Sequence, residues 1–411
     1  MRSRPLSHRP PPSIVAAAML VVAGCNDLAG VARYPGPTIA TAVVATDAHA
    51  AIAALVTVHG RGLDSVVVRY QIAGAAGPAM LATPAVRAVA DSAAVPVLGL
   101  LPEQHYELRA TGYGAKGTTE SAPLTLTTGS LPTDLPRYTA SGSDPSPGYV
   151  VFAAGKYGVV IDNSGRIVWY RRFDDGVGLS FMAEPDGRYA LRPATPAVGD
   201  VEPWVELDVS GNVVRSLSCA HGLQTRPHDL IVDTDGSYVI LCDETRTMDL
   251  SAIGGVAAAR VTGTVVQRIG AQGELLFEWS PFDHLAISDL TAAERTGSSV
   301  NWTHGNAIDR DADGNLLVSF RSLNEITKID ARTGAVIWRL GGTRNDFTFL
   351  GAGDPPFVHQ HGLRAAAAGE LLLLDNIGDP TASRAERYAI DEHAHTARLV
   401  QSFSAIPSAI T

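Results

Sequence analysis

Three histidines in the second half of the chain open segments that resemble one another. His228 begins His-Asp-Leu-Ile-Val-Asp-Thr-Asp-Gly, His304 begins His-Gly-Asn-Ala-Ile-Asp-Arg-Asp-Ala-Asp-Gly, and His361 begins His-Gly-Leu-Arg-Ala-Ala-Ala-Ala-Gly. Each passes through a short apolar stretch to a glycine (Gly236, Gly314, Gly369) and then into an apolar strand. Imidazole changes charge near neutral pH, so it can serve as nucleophile, acid or base. Self-similar segments mark a repeat, and in a radial repeat equivalent positions meet about one axis. The three histidines are therefore expected at one structural position, facing a shared central pocket. A single histidine at the head of a strand is ordinarily structural; three in register, accompanied by Asn306 and Arg321, read as a site.

Other polar residues are weighed against that set. His359 lies two before His361 and, on an extended strand, would point to the same side; it stands as a rival nucleophile or a rim residue. Arg321 is either a pocket cation or a strand arginine paired with Glu325. His221, His284, His393 and His395 have no repeat partner and read as surface residues. Asp375 and Asn376 read as the turn ending an inner strand. Trp169, Trp279 and Trp338 recur at one place in the repeat and read as packing. No C-x-x-C or comparable ligand spacing occurs, so neither a metal nor another cofactor is expected.

The elements that must carry these residues are strands. With 40 glycines and 25 prolines among 411 residues, 45% apolar and 18% charged, the chain suits a dry-cored, turn-rich β protein. A net charge of −10 with no Lys/Arg block argues against nucleic acid as a partner. From residue 149 two hairpin types alternate. One has its turn at Gly165, Gly211, Gly273 and Gly334; the other is Asp-Gly at Asp186, Asp235 and Asp313. About four strands per unit in tandem predict a β-propeller. Hairpins for about five blades are countable, so the ring is expected to be short at its C-terminal end. The segment Asp249–Gly263 reads as the longest insertion.

Residues 34–130 read as a small β-sandwich, with strands over 52–58, 66–72 and 124–128 and Tyr106 as a corner tyrosine of fibronectin III/immunoglobulin-like type. Residues 131–148 form a linker, and 149–411 the propeller. Arg2, Arg4 and Arg9 precede an apolar run from Ile14 to Ala23, a targeting segment over 1–24. Val22-Ala-Gly-Cys25 resembles a lipobox, so Cys25 is expected to carry lipid and anchor an extracytoplasmic protein of the cell envelope, on the periplasmic side or the cell surface. An ordinary secretory signal is the alternative. Cys219 and Cys242 either form a disulfide or remain two buried thiols.

Four stretches then carry a family resemblance: Trp302-Thr-His304-Gly-Asn306, Ser319-Phe-Arg321, Gly334-Ala-Val-Ile-Trp338-Arg-Leu-Gly-Gly342, and Gln360-His361-Gly-Leu-Arg leading to Asn376. They resemble the bacterial arylsulfate sulfotransferases (ASST) from about Tyr149 onward, most closely between Pro227 and Asn376. The resemblance implies a six-bladed propeller behind a β-sandwich. It also implies transfer of a sulfuryl group from a phenolic sulfate ester to a phenol, without a nucleotide sulfate donor, through a sulfated histidine. On this likeness His361 is the nucleophile, and His228 and His304 bind sulfuryl oxygens and move protons. Asn306 and Arg321 clamp the sulfate, and a further family position near the last blade has no counterpart. Partners would be a donor ester, an acceptor phenol, the membrane through Cys25 and, as a candidate, a second copy of the chain. The competing reading is a propeller lipoprotein that binds a ligand or partner without turnover.

Overall fold

The computed structural model describes residues 36–74, 80–141, 144–173, 180–192, 203–351, 356–367, 369–377 and 383–404. The targeting segment and Cys25 lie outside the described residues. No helix among the described residues is long and apolar enough to cross a membrane.

Alternating apolar residues between Thr38 and Thr127 build two facing sheets. One holds Thr38–Thr46, Ala54–Arg61 and Ser92–Val97; the other is centred on Ser65–Ile72 and His105–Gly114. Val56, Val58, Val66, Val68, Val95 and Leu108 are fully buried between them. The hydroxyl of Tyr106 accepts the Leu101 N–H at 2.9 Å, as a corner tyrosine should. The sandwich seats on the next domain through Ala50–Ala53, where the Ala51 N–H donates to the Tyr170 hydroxyl at 2.8 Å.

From Tyr149 the described residues form five antiparallel blades. Blade one has three strands (Tyr149–Ala154, Tyr157–Asp162, Ile167–Arg172). Blade two runs Phe181–Ala183, Tyr189–Leu191, Trp204–Leu207 and Val213–Leu217. Blade three runs Gln224–Val232, Tyr238–Met248, Ala259–Ile269 and Leu275–Trp279; blade four runs Gly305–Arg310, Leu316–Phe320, Glu325–Ile329 and Val336–Gly341. Blade five comprises His361–Ala367, Glu370–Asp375, Arg384–Asp391 and Thr396–Ser404. Short strands Ser299–Asn301 and Thr348–Leu350 add in parallel to blades three and five. The architecture is an all-β propeller type with five blades among the described residues; the six implied by the family resemblance are not seen there.

Two expectations about local structure change. The insertion at Asp249–Gly263 is mostly the tip of one long hairpin, since Tyr238–Met248 pairs with Ala259–Ile269 along its whole length. Asp375 ends the second strand of blade five rather than its inner strand, and its buried carboxylate accepts the Val358 N–H at 2.8 Å.

The recurrent tryptophans join neighbouring blades. Trp169 Nε1 donates to the Val209 carbonyl in the outer turn of blade two, and Trp279 Nε1 to the Gly334 carbonyl in that of blade four. Both indoles are almost fully buried, so each contributes apolar burial and a satisfied polar tip. Cys219 and Cys242 are joined in a disulfide that ties the chain entering blade three to that blade's second strand.

Candidate active site

The inner strands of all five blades line one cavity of about 560 Å³. Its two sides differ. Blades one and two contribute Val151, Phe152, Ala153, Phe181 and Met182; blades three to five contribute His228, Asp229, Asn306, His361 and Arg364. His304 completes the polar side, with ring centroids 5.4 Å from His228 to His304 and 6.1 Å from His228 to His361. Three imidazoles separated by 76 and 57 residues of chain are thus brought into one cluster.

They do not share one structural position. Val232 pairs with Tyr238, Arg310 with Leu316 and Ala365 with Leu371, each six residues across its hairpin. Counted back four residues from those pairs, the equivalent residues are His228, Asn306 and His361. Counted back six, they are Arg226, His304 and His359. The site therefore has two tiers of three, and His304 belongs to the tier above the one expected. Each of the three ladders also loses register at the site: between Thr225 and Leu230, Gly305 and Ala307, and His361 and Arg364. Such bulges re-aim side chains. Gly305 permits one of them. Its N–H donates to Thr264 Oγ1 at 2.8 Å, and a Cβ there would come within 2.6 Å of the Thr264 methyl. Gly362, at φ +58°, turns the chain just after His361.

The hydrogen bonds set distinct roles for the ring nitrogens. His361 Nδ1 lies 2.7 Å from the His359 carbonyl, which can only accept, so Nδ1 carries the hydrogen and Nε2 the lone pair. The longer 3.3 Å contact of Nδ1 with the Asn376 amide is secondary. His304 Nδ1 contacts Asn301 Nδ2 at 2.6 Å; with the amide donating, as oriented, the hydrogen of His304 sits on Nε2. His359 has φ +49° and is not on an extended strand, so the strand alternation expected for it does not apply; its N–H donates to Asn324 Oδ1 at 2.8 Å.

Asn306 is turned to scaffolding. Its amide donates to the Gln360 carbonyl at 2.7 Å, and its buried Oδ1, an acceptor, has no partner among the described residues. Gln360, fully buried, donates to Ser319 Oγ at 3.0 Å and to the Glu325 carbonyl at 2.9 Å. Together they fix the backbone that presents His361. Arg321 follows the second strand of blade four in a single 3₁₀ turn, its N–H donating to the His304 carbonyl at 3.1 Å. It is not paired with Glu325, which is engaged instead by Arg339 at 2.8 Å. The Arg321 guanidinium has no ion-pair partner among the described residues.

Below the histidines, Asp229 binds three blades at once. It accepts the Ile308 N–H at 3.0 Å and two guanidinium nitrogens of Arg364 at 2.7 and 3.2 Å.

Burial and neighbouring guanidinium groups depress the imidazoles. His228 is lowered to about 4, chiefly by desolvation and then by Arg226. His304 is lowered to about 3 by the same two causes. His361 and His359 are lowered by desolvation, with Arg321 also acting on both. Burial and two arginines thus favour the neutral form of these imidazoles. Arg226 escaped sequence reasoning because only histidines were aligned; the spacing Arg226-Pro-His228, matching His359-Gln-His361, was the signal.

Among the described residues a cluster of Glu184, Asp186 and Glu206 has metal-like spacing, but it lies on blade two away from the histidines. Glu206 there is already engaged by Arg188 and by Arg215 at 2.6 Å. His284 stacks on Trp279 with centroids 5.2 Å apart and lies outside the cavity lining.

The arylsulfotransferase (ASST) family model matches residues 138–406. Among curated proteins nothing matches. Solved structures with some likeness include virginiamycin B lyase from Staphylococcus aureus, at 14% identity over 71% of this chain and 79% of that one, TM-score 0.34. Hydrazine synthase from Kuenenia stuttgartiensis is similar at 12% identity over 74% and 85%, TM-score 0.36. At such scores these likenesses carry no argument about this chain.

Proposed function

This chain belongs to the arylsulfotransferase family, and from that premise we propose that it moves a sulfuryl group from a phenolic sulfate to a phenol through a covalent intermediate on His361. The observation that carries the reading is the cluster of His228, His304 and His361 drawn from three blades around one cavity. The anionic ester enters a site of neutral imidazoles, and His228 takes up a proton with it while the His304 Nε2–H faces the sulfuryl oxygens. His361 Nε2 attacks sulfur, the sulfur–oxygen bond to the aryl group breaks, and the departing phenoxide takes that proton. The sulfated ring is positively charged, and its Nδ1–H remains bonded to the His359 carbonyl. An acceptor phenol then gives its proton to the same neutral imidazole and attacks sulfur. The sulfur–nitrogen bond breaks and the electron pair returns to Nε2. Charge stays on the sulfuryl oxygens throughout, so the unpaired Arg321 guanidinium is suited to hold two of them in fixed geometry. The aryl rings fit the apolar wall of Phe152 and Met182.

The test is incubation with a chromogenic aryl sulfate, with and without an acceptor phenol, followed by peptide mass spectrometry. Expected are phenol release that accelerates with acceptor, ping-pong kinetics, and one sulfonate on the peptide holding His361 when acceptor is absent. A label on His359 would move the role within the site. Retained aryl-anion binding with no phenol release and no label would replace the enzyme with the binding-protein reading. On the same footing we propose that the mature chain begins at a lipid-bearing Cys25, which N-terminal mass spectrometry decides.

A further inference from the structure

We propose that Arg226 is a second sulfuryl-binding guanidinium, acting opposite Arg321, and that Asp243 and Trp204 are the residues that position it. The inference rests on the sulfotransferase reading above. Arg226 occupies the upper tier with His304 and His359, at the start of the bulge that re-aims His228. Its side chain is only 7% exposed. One Nη donates to Asp243 at 2.5 Å, while its carbonyl receives the Trp204 indole N–H at 2.9 Å. The buried Nε has no hydrogen-bond partner among the described residues. A guanidinium held this way is incompletely satisfied, because a buried donor without an acceptor is costly and a single carboxylate contact leaves its fork half used.

What would engage the second Nη, which has no hydrogen bond among the described residues, is a ligand with several anionic oxygens bound at the histidine cluster. The two arginines come from different blades and both bear on His228 and His304, while the charge of Arg321 bears on His359 and His361 as well. Arg226 stands two residues before His228, the histidine given the proton-transfer role above, and the Arg321 N–H is bonded to the His304 carbonyl at 3.1 Å, so the two guanidinium groups reach the cluster from different blades. A sulfuryl group bound there has three terminal oxygens to share, and each arginine can take what the other leaves.

The experiment uses benzenesulfonate, which has the aryl ring and the three oxygens but no leaving group. It is titrated calorimetrically into the full-length protein, wild type and the variants Arg226→Gln, Arg226→Lys and Asp243→Asn, with thermal midpoints recorded alongside. Arg226→Gln should weaken binding by roughly ten- to a hundredfold, the scale of losing a charge-assisted hydrogen-bonded pair. Arg226→Lys should recover little of it, and Asp243→Asn should show a smaller loss. Added guanidinium ion should partly restore aryl-sulfate turnover to Arg226→Gln, which a merely structural arginine would not allow. If Arg226→Gln fails to fold, Arg226→Lys and Asp243→Asn carry the same comparison with the charge retained. Wild-type affinity and turnover in a folded Arg226 variant would overturn the proposal alone. A wild-type protein that neither binds benzenesulfonate nor releases phenol would overturn it together with the functional reading beneath it.

Discussion

Blades one and two share the hairpin plan of blades three to five, yet the two groups give the cavity opposite walls. The first pair places Val151, Phe152, Ala153, Phe181 and Met182 on it; the others place imidazoles, an amide and the buried Asp229 carboxylate paired with an exposed Arg364. In a radial repeat the backbone supplies equivalent positions, and the side chains there divide the work. The division follows local irregularity. Each inner strand of blades three to five carries a bulge where its polar residue stands, whereas the inner strands of blades one and two pair without a shift. Regular pairing suffices to bury an apolar wall, but aiming a reactive atom requires the ladder to break.

The severest way to break this contrast is to remove the proposed nucleophile. His361→Ala should lower turnover by roughly a thousandfold or more, as loss of a nucleophile does elsewhere, and should abolish sulfonate labelling while leaving the thermal midpoint near wild type. Labelling that persists in His361→Ala would transfer the role to another imidazole. Next comes Arg321→Lys. It keeps the charge but loses the fork, so turnover should drop about a hundredfold with little change in midpoint. Unchanged activity with a lowered midpoint would make Arg321 a purely structural residue.

Asn306→Asp asks whether the amide serves the substrate or the scaffold. A carboxylate would face the Gln360 carbonyl that the amide now donates to. Stability should fall by about 1–3 kcal/mol, the cost of an unmade buried hydrogen bond, and turnover with it. Lost activity at full stability would return Asn306 to the sulfate clamp.

The polar wall should also respond to acid in a way the apolar wall cannot. With His228 at about 4 and His304 at about 3, the folded state declines protons that an unfolded chain accepts at an ordinary histidine pKa of about 6.5. Stability due to these groups is therefore present above about pH 6.5 and is lost as pH falls toward 4 and 3. Benzenesulfonate should oppose that loss, because a proton accompanies the anion. Midpoints of wild type and a His228→Gln/His304→Gln double variant, recorded from neutral to acid pH, check this; parallel curves would deny the histidines the effect. The smallest change is expected from the other wall. Phe152→Ala should raise the KM for aryl donors several-fold, equivalent to roughly 0.5–1.5 kcal/mol of lost aromatic packing, with kcat nearly unchanged. An equal fall in kcat would mean that this wall positions the reacting atoms as well.

Much of this was legible in the residues. Asp-Gly hairpins and alternating apolar strands announced a tandem β protein, and Tyr106 marked the sandwich. The meeting of His228, His304 and His361 was foreseen, but not its geometry. Bulges shift register without altering hydrophobic period, so aligning histidine with histidine put His304 one tier too low and hid Arg226 and Asn306 as the matching residues. Pro227, Gly305 and Gly362 were visible hints, since proline and glycine inside a strand mark such breaks. The amide direction of Asn306 and the Arg339 partner of Glu325 depend on packing that no linear pattern records. Cys219 and Cys242 were equally consistent with two states until the connection into blade three was seen beside that blade's second strand.

The Asp229 bridge has a consequence for how the molecule comes together. Tandem blades contact mainly their neighbours, so such folds can assemble piecemeal. Here the Asp229 carboxylate on blade three finds its cation, Arg364, 135 residues later, on blade five. A nascent or truncated chain that stops at blade four leaves that carboxylate with the Ile308 N–H but without its counterion, so the ion pair is gained only with blade five. Long sequence separation also delays the contact, since the intervening loop must close before the ion pair is gained. The cavity wall that Asp229 and Arg364 share is thus completed late, so the proposed activity should emerge with the last blade, not accumulate blade by blade.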